Sequence, residues 1–125
     1  METVVDLYNA VRDRYPEIAE AADRVHIKTW GEPDPEFAYS WFESLANSLN
    51  IDMNKGIDPS NYMKLFSFFN QTLQGCGTEI KNCIDVAFVE NLFWRIPSDK
   101  AEPYWAKLPA SLKELYIAFH SRAPL

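Results

Sequence analysis

The sequence predicts an all-α protein, a single domain over residues 1–125 that forms a bundle of five or six helices. The apolar residues of every long segment recur at intervals of three and four, which is the period of an amphipathic helix. No alternating apolar and polar run lies between hairpin turns, so paired strands are not expected. A chain of 125 residues can bury a sizeable core without disulfides or a structural metal.

Prolines and capping residues mark where the predicted helices begin. Two Asp-Pro pairs, at 34–35 and 58–59, each combine an N-cap side chain with a proline that needs no hydrogen-bonded N–H. The same reasoning places helix starts at Pro16 and Pro109, and Thr78 follows the helix-breaking segment Gly-Cys-Gly. The apolar stripes that follow these and the N-terminal start cover residues 4–11, 38–49, 62–73, 80–88 and 108–119.

Two segments depart from this simple pattern. Residues 24–30, RVHIKTW, are the one candidate strand, and because a lone strand has no partner we interpret them as a connector. The helix predicted over 78–94 is apolar on all faces, which is typical of a buried central helix. Glu90 and Asn91 lie within or beside its main stripe, so we expect a buried polar pair that requires hydrogen-bond partners.

The net charge of −6 is concentrated in the first half of the chain. Residues 1–60 contain 12 acidic and 5 basic side chains, a net charge of −7, whereas residues 61–125 contain 6 and 7, a net charge of +1. An acidic half repels phosphate backbones, so nucleic-acid binding is disfavoured. The same charge would attract a basic protein partner and accelerate its association.

Motifs for catalysis, metal binding and membrane insertion are missing from the sequence. No HExxH, EF-hand loop, P-loop, GxGxxG or GxSxG is present, so we assign no catalytic residue, metal or cofactor. Cys76 and Cys83 do not form a CxxC pair, and we expect reduced thiols in a cytoplasmic protein. No apolar run is long enough for a transmembrane helix, and the N-terminus does not have the pattern of a secretory signal.

The segment WGEPDPEFAYSWFESLANSLN, residues 30–50, is the best candidate for a binding surface. We expect the outward face of its helix to carry Glu36, Tyr39, Ser40, Glu43, Asn47 and Asn50. Acidic groups around an exposed tyrosine suit the recognition of a basic surface. The predicted partner-binding residues are therefore Glu32, Asp34, Glu36, Tyr39 and Glu43.

Trp105 precedes the last predicted helix and His120 lies in its last turn, and a structural role can explain each of them. A cationic side chain such as His120 is favoured in the last turn, where carbonyl groups are exposed. Trp105 precedes the proline start, where an apolar side chain can pack on the first turns. We interpret both as structural residues and not as a site.

Two C-terminal segments, AFVENLFWRI and YWAKLPASLKELYIAFH, resemble a small bacterial all-helical family that is described only as a domain of unknown function. The resemblance covers residues 85–120 and rests on Glu90, Asn91, Leu92, Trp105, Leu108, Pro109 and residues 112–116. These are mostly core residue types, so the resemblance implies a fold and supplies no catalytic residues. In size, charge and helical class the chain is also similar to bacterial immunity proteins, which bind and neutralise a cognate toxin.

These observations favour a non-enzymatic protein-binding module, such as an immunity-type inhibitor that neutralises a basic toxin domain. Two alternatives stay open. One is a small-ligand-binding protein or an enzyme with a buried polar site around Glu90 and Asn91. The other is a homo-oligomeric subunit that uses its exposed aromatic residues for self-association, although the sequence does not indicate an oligomeric state.

Overall fold

The computed structural model describes residues 1–125 and contains seven α-helices and no strand, which confirms the all-α prediction and exceeds the predicted number of helices. The helices are α1 (Val4–Arg14), α2 (Pro16–Trp30), α3 (Ala38–Asn54), α4 (Met63–Leu73), α5 (Thr78–Asn82), α6 (Ser98–Lys107) and α7 (Ala110–His120). Short 3-10 helices, Pro35–Phe37 and Pro59–Tyr62, lead into α3 and α4. No helix is both long and apolar enough to cross a membrane.

The proline and capping signals locate the helix starts correctly. The side chain of Asp34 accepts a hydrogen bond from the backbone N–H of Glu36, and Asp58 accepts one from Ser60, each at 2.8 Å. Pro16 is the first residue of α2. These positions satisfy or dispense with N–H groups that a helix start would otherwise leave without a partner.

Helix α6 is the element that the sequence pattern does not indicate. Pro103 lies inside it and removes one N–H from the helical hydrogen bonds, a local cost of about 3 kcal/mol in an ordinary helix interior. Ala101 and Tyr104 are buried against the rest of the protein. Tertiary packing therefore stabilises a helix that local propensity disfavours.

Residues 24–30 form the second half of α2, so their interpretation as a connector is wrong. Helix α2 packs along α3, and His26 is only 1% exposed in that contact. The hydroxyl of Ser44 donates to the carbonyl of Ser40, and its oxygen lies 3.3 Å from Nδ1 of His26, where it can accept a hydrogen bond. This partner satisfies a buried polar ring that the strand-like pattern did not explain.

The central helix is α3 and not the predicted helix over 78–94. Ten of its residues are buried: Ala38, Trp41, Phe42, Ser44, Leu45, Ala46, Ser48, Leu49, Asn50 and Met53. Asn50, which we expected on the outward face, is only 6% exposed. The small residues Ala46 and Ser48 allow neighbouring elements to pack on sides of α3 that an amphipathic pattern would assign to solvent.

The predicted helix over 78–94 changes its geometry along its length. After α5 the backbone widens into a π-helical segment, Cys83–Phe88, and then tightens into a 3-10 turn, Val89–Asn91. Val86 is 41% exposed, so this segment has a solvent-facing side. Glu90 and Asn91 lie half-buried at the end of the turn, because the helix stops there instead of continuing through the core.

Asn50 fixes the backbone that follows this turn. Its amide group donates a 2.9 Å hydrogen bond to the carbonyl of Asn91 and its side-chain oxygen accepts a 2.8 Å bond from the N–H of Phe93. Phe93 and Arg95 have φ angles of 66° and 56°, which are unfavourable for residues other than glycine. Asn50 thus satisfies two backbone groups in a strained segment and compensates part of its cost.

Asp23 joins the first three helices. Its carboxylate pairs with both terminal nitrogens of Arg12, at 2.7 and 3.0 Å, and also accepts a 2.8 Å hydrogen bond from the indole N–H of Trp41. The guanidinium of Arg12 lies over the rings of Tyr8 and Trp41. A bidentate pair with these additional contacts fixes the relative orientation of α1, α2 and α3.

We predict that Asn50→Ala lowers the free energy of unfolding by about 3 kcal/mol, because two buried backbone groups lose their partner. Urea denaturation monitored by far-UV circular dichroism measures the change. Asn54→Ala is the matched control, since Asn54 is exposed on the same helix, and it should cost less than about 0.5 kcal/mol. Equal losses in the two variants would contradict the role of Asn50.

We also predict that His26 makes the protein less stable at mildly acidic pH. Burial lowers the pKa of His26, and Asp23 partly opposes that effect. The unfolded chain takes up a proton on this residue below about pH 6.5 while the native state resists it, so stability is lost as the pH falls. Between pH 7.5 and 5.5 the loss should be about 1 kcal/mol greater in the native protein than in His26→Gln. Parallel slopes in urea denaturation would contradict this.

Candidate functional site

The predicted binding residues Glu32, Asp34 and Glu36 all lie on the surface, in the loop and 3-10 turn between α2 and α3. No Lys, Arg or His forms an ion pair with them, since the two ion pairs of the structure are Arg12–Asp23 and Arg24–Glu20. Asp34 uses one oxygen to cap the 3-10 turn. The carboxylates of this segment therefore remain available to a partner.

Three aromatic side chains are exposed in the same part of the chain. Trp30 at the end of α2 is 56% exposed, Phe37 at the end of the 3-10 turn is 59% exposed, and Tyr39 in the first turn of α3 is 42% exposed. A contiguous exposed apolar patch rimmed by polar residues is typical of interaction sites, whereas single exposed apolar residues are ordinary. We name Trp30, Glu32, Asp34, Glu36, Phe37 and Tyr39 the acidic–aromatic face.

Tyr39 connects this face to the segment that contains the other predicted site. Its hydroxyl donates a 3.2 Å hydrogen bond to the carbonyl of Asn82, at the end of α5. Burial raises the pKa of the Tyr39 phenol, and electrostatic interactions with Cys83, Glu90 and Asp85 raise it further. Tyr39 is therefore anchored to the end of α5, within electrostatic range of Asp85 in the π-helical segment and of Glu90 in the 3-10 turn.

Asp85 and Glu90 form a pair of interacting carboxylates. Burial raises the pKa of both groups, and the charge of Asp85 raises the pKa of Glu90 further, while His120 lowers it. Lys81 opposes the effect on Asp85 but forms no ion pair with it. Sequence reasoning missed Asp85, because residues five apart point about 140° away from each other in an α-helix. Hydrogen bonds from i to i+5 in the π-helical segment change that relation.

Glu43 and Asn91 are the two remaining predicted site residues. Glu43 is half-buried, one turn after Tyr39 on α3, and has no ion pair. The side chain of Asn91 donates a 2.8 Å hydrogen bond to the carbonyl of Ala87 and therefore stabilises the end of its own helix. Neither Glu90 nor Asn91 lines any of the five best-defined cavities.

His120 and Trp105 occupy the structural positions expected for them. The ring of His120 stacks on Tyr116 at 4.0 Å, and its Nε2 lies 3.2 Å from the carbonyl oxygen of Glu90. Trp105 packs edge-on against Phe93 and Tyr116. These contacts attach α7 and α6 to the strained segment. No three His, Cys, Asp or Glu side chains are arranged to hold a metal ion.

The family described as "Domain of unknown function (DUF7674)" matches residues 8–122. The chain belongs to this family. The match extends far beyond the C-terminal resemblance over 85–120 and includes the acidic–aromatic face as well as the π-helical segment. No curated protein and no solved structure matches the chain. The DUF7674 match identifies a domain without assigning an activity.

We predict that Asp85→Asn lowers the pKa of Glu90, because one neighbouring negative charge is removed. The pKa of Tyr39 should fall in the same variant, by less. Carboxyl and ring carbon signals in an NMR titration report both values. Asp99→Asn is the control, since this exposed residue of α6 does not contribute to either pKa. If both variants left Glu90 unchanged, the two carboxylates would not interact.

Proposed function

We propose that this DUF7674 domain is a non-enzymatic protein-binding module whose acidic–aromatic face docks a basic protein partner. The observation that carries the proposal is that Trp30, Phe37 and Tyr39 are exposed among carboxylates that form no ion pair within the protein. Aromatic side chains supply most of the binding energy in many protein interfaces, and unpaired charges supply steering and selectivity. Glu43, one turn beyond Tyr39, extends the acidic surface along α3.

The anchoring of Tyr39 supports this role. Its hydrogen bond to Asn82 and the packing of α3 restrict the ring before any partner arrives. A side chain that is already ordered loses little conformational entropy on binding, so more of its contact energy is available for affinity. The nearby carboxylates of Asp85 and Glu90 repel each other, and a cationic group of the partner would relieve that repulsion.

The class of partner that we favour is a basic toxin domain, with the present protein acting as an immunity-type inhibitor in the bacterial cytoplasm. This part of the proposal rests on the acidic charge, the small helical domain and two free thiols, which are typical of reducing compartments. An inhibitor of this kind needs rapid association, because it must capture a toxin before the toxin acts. Electrostatic steering by an acidic face provides such rates.

We predict that the double charge reversal Glu36→Lys and Glu43→Lys slows association with the partner about fivefold at low salt, with a smaller effect on dissociation. Tyr39→Ala should mainly accelerate dissociation, because it removes a buried anchor from the complex. The partner is first isolated by comparing what the native and the reversed proteins retain from the source cell. Surface plasmon resonance at two salt concentrations then measures both rates.

The matched control reverses two exposed acids outside the face, Glu102→Lys and Glu114→Lys, and has the same net charge. Equal slowing by both double variants would show that total charge, and not this face, steers the encounter. Analytical ultracentrifugation of the native protein tests self-association separately. A dimer that Trp30→Ala and Phe37→Ala dissociate would favour the homo-oligomer and contradict docking of a basic partner by these aromatic residues.

A further inference from the structure

A shallow cavity of about 330 Å³ lies where the end of α1 meets the first turns of α4. Its lining residues are Arg14, Tyr15, Met63, Lys64, Ser67, Phe68 and Gln71. Two cationic side chains line it and no carboxylate does, in a protein with a net charge of −6. The cavity is therefore opposite in charge to the acidic–aromatic face and independent of the function proposed for that face.

Arg14 is positioned by an aromatic ring and not by a carboxylate. Its guanidinium lies 4.6 Å from the centre of the Phe68 ring and forms no ion pair or side-chain hydrogen bond within the protein. By contrast, Arg12, two residues earlier, is bidentately paired with Asp23. Stacking restricts the planar group while leaving its N–H donors free, and these donors suit a carboxylate or phosphate.

The remaining lining residues form an ordered polar rim. The hydroxyl of Tyr15 donates a 3.1 Å hydrogen bond to the backbone carbonyl of Lys64, and the Tyr15 ring packs edge-on against Phe68 at 6.0 Å. Lys64, Ser67 and Gln71 are spaced three and four residues apart on α4 and so share one face of it. The cavity is thus lined by an ammonium, a hydroxyl, an amide and a guanidinium group, together with the rings of Tyr15 and Phe68.

We propose that this cavity binds the anionic head group of a small organic molecule, a phosphate or a carboxylate, with an apolar or aromatic body packed against the ring of Tyr15. A neighbouring cleft of about 520 Å³ shares Arg14, Tyr15 and Lys64 with the cavity and provides room for the rest of the ligand. Cavities of these sizes are typical of small-molecule sites. Glu17, Asp52 and Asn61 in the cleft would accept hydrogen bonds from donors on that part of the molecule.

Titrations of the full chain with inorganic phosphate, phenyl phosphate and benzoate, at constant ionic strength and followed by amide NMR signals, test the proposal. Phenyl phosphate or benzoate should produce saturable shifts at residues 14–18 and 63–71, and the tighter of the two identifies the preferred head group. Arg14→Gln and Lys64→Gln should each weaken that binding about tenfold, because each removes a charge-assisted contact. Inorganic phosphate should bind more weakly than phenyl phosphate, since it lacks the ring.

Lys107→Gln and Arg122→Gln are the controls, because both residues are exposed and lie outside the two cavities. They change the net charge by the same amount and should leave the affinity unchanged. Circular dichroism confirms that every variant is folded. The proposal is overturned if neither aromatic ligand gives saturable shifts at these residues, or if Arg14→Gln and Lys64→Gln bind as tightly as the two controls.

Discussion

The hydrogen bonds of Asn50 are the constraint on which the second half of the structure depends. This one buried side chain, on the central helix α3, holds both the carbonyl of Asn91 and the N–H of Phe93. The ring of Phe93 then packs against Trp105 and Tyr116, which belong to α6 and α7. The segment that contains Phe93 and Arg95, both in the left-handed region, is therefore the part of the backbone against which α6 and α7 pack.

The same constraint explains why the π-helical segment is tolerated. π-helical segments are rare and occur mostly as single turns within α-helices. Helix α3 packs against Cys83–Phe88 along one side, and Asn50 fixes the exit of the chain from it. In return, the wide turn places Asp85 near Glu90 and both near Tyr39. The positions of Asp85 and Glu90 therefore depend on how the π-helical segment ends, which is fixed by its packing on α3 and by the hydrogen bonds of Asn50.

The fold class and most helix starts could be predicted from the sequence, because capping and periodicity are local properties. The side chains of Asp34 and Asp58 cap turns that begin at the next residue. Helix α6 and the second half of α2 could not be predicted, since buried Tyr104 and His26 stabilise them through tertiary contacts. Glu32, Asp34, Glu36 and Tyr39 are exposed, whereas the exposure of Trp30 and Phe37 was not indicated by the sequence. The proximity of this face to Asp85 depends on the π-helical segment, which cannot be recognised from an apolar pattern with a 3.6-residue period.

Net charge by segment was an incomplete guide to the surfaces, because it does not distinguish paired from unpaired groups. Arg12 pairs with Asp23 and Arg24 pairs with Glu20, so each of these two pairs in the acidic half has no net charge. The carboxylates around Tyr39 have no such partner, and neither has Arg14. What another molecule encounters is the set of charges left unpaired by folding. The carboxylates of the acidic–aromatic face belong to this set, as do Arg14 and Lys64 at the cavity between α1 and α4.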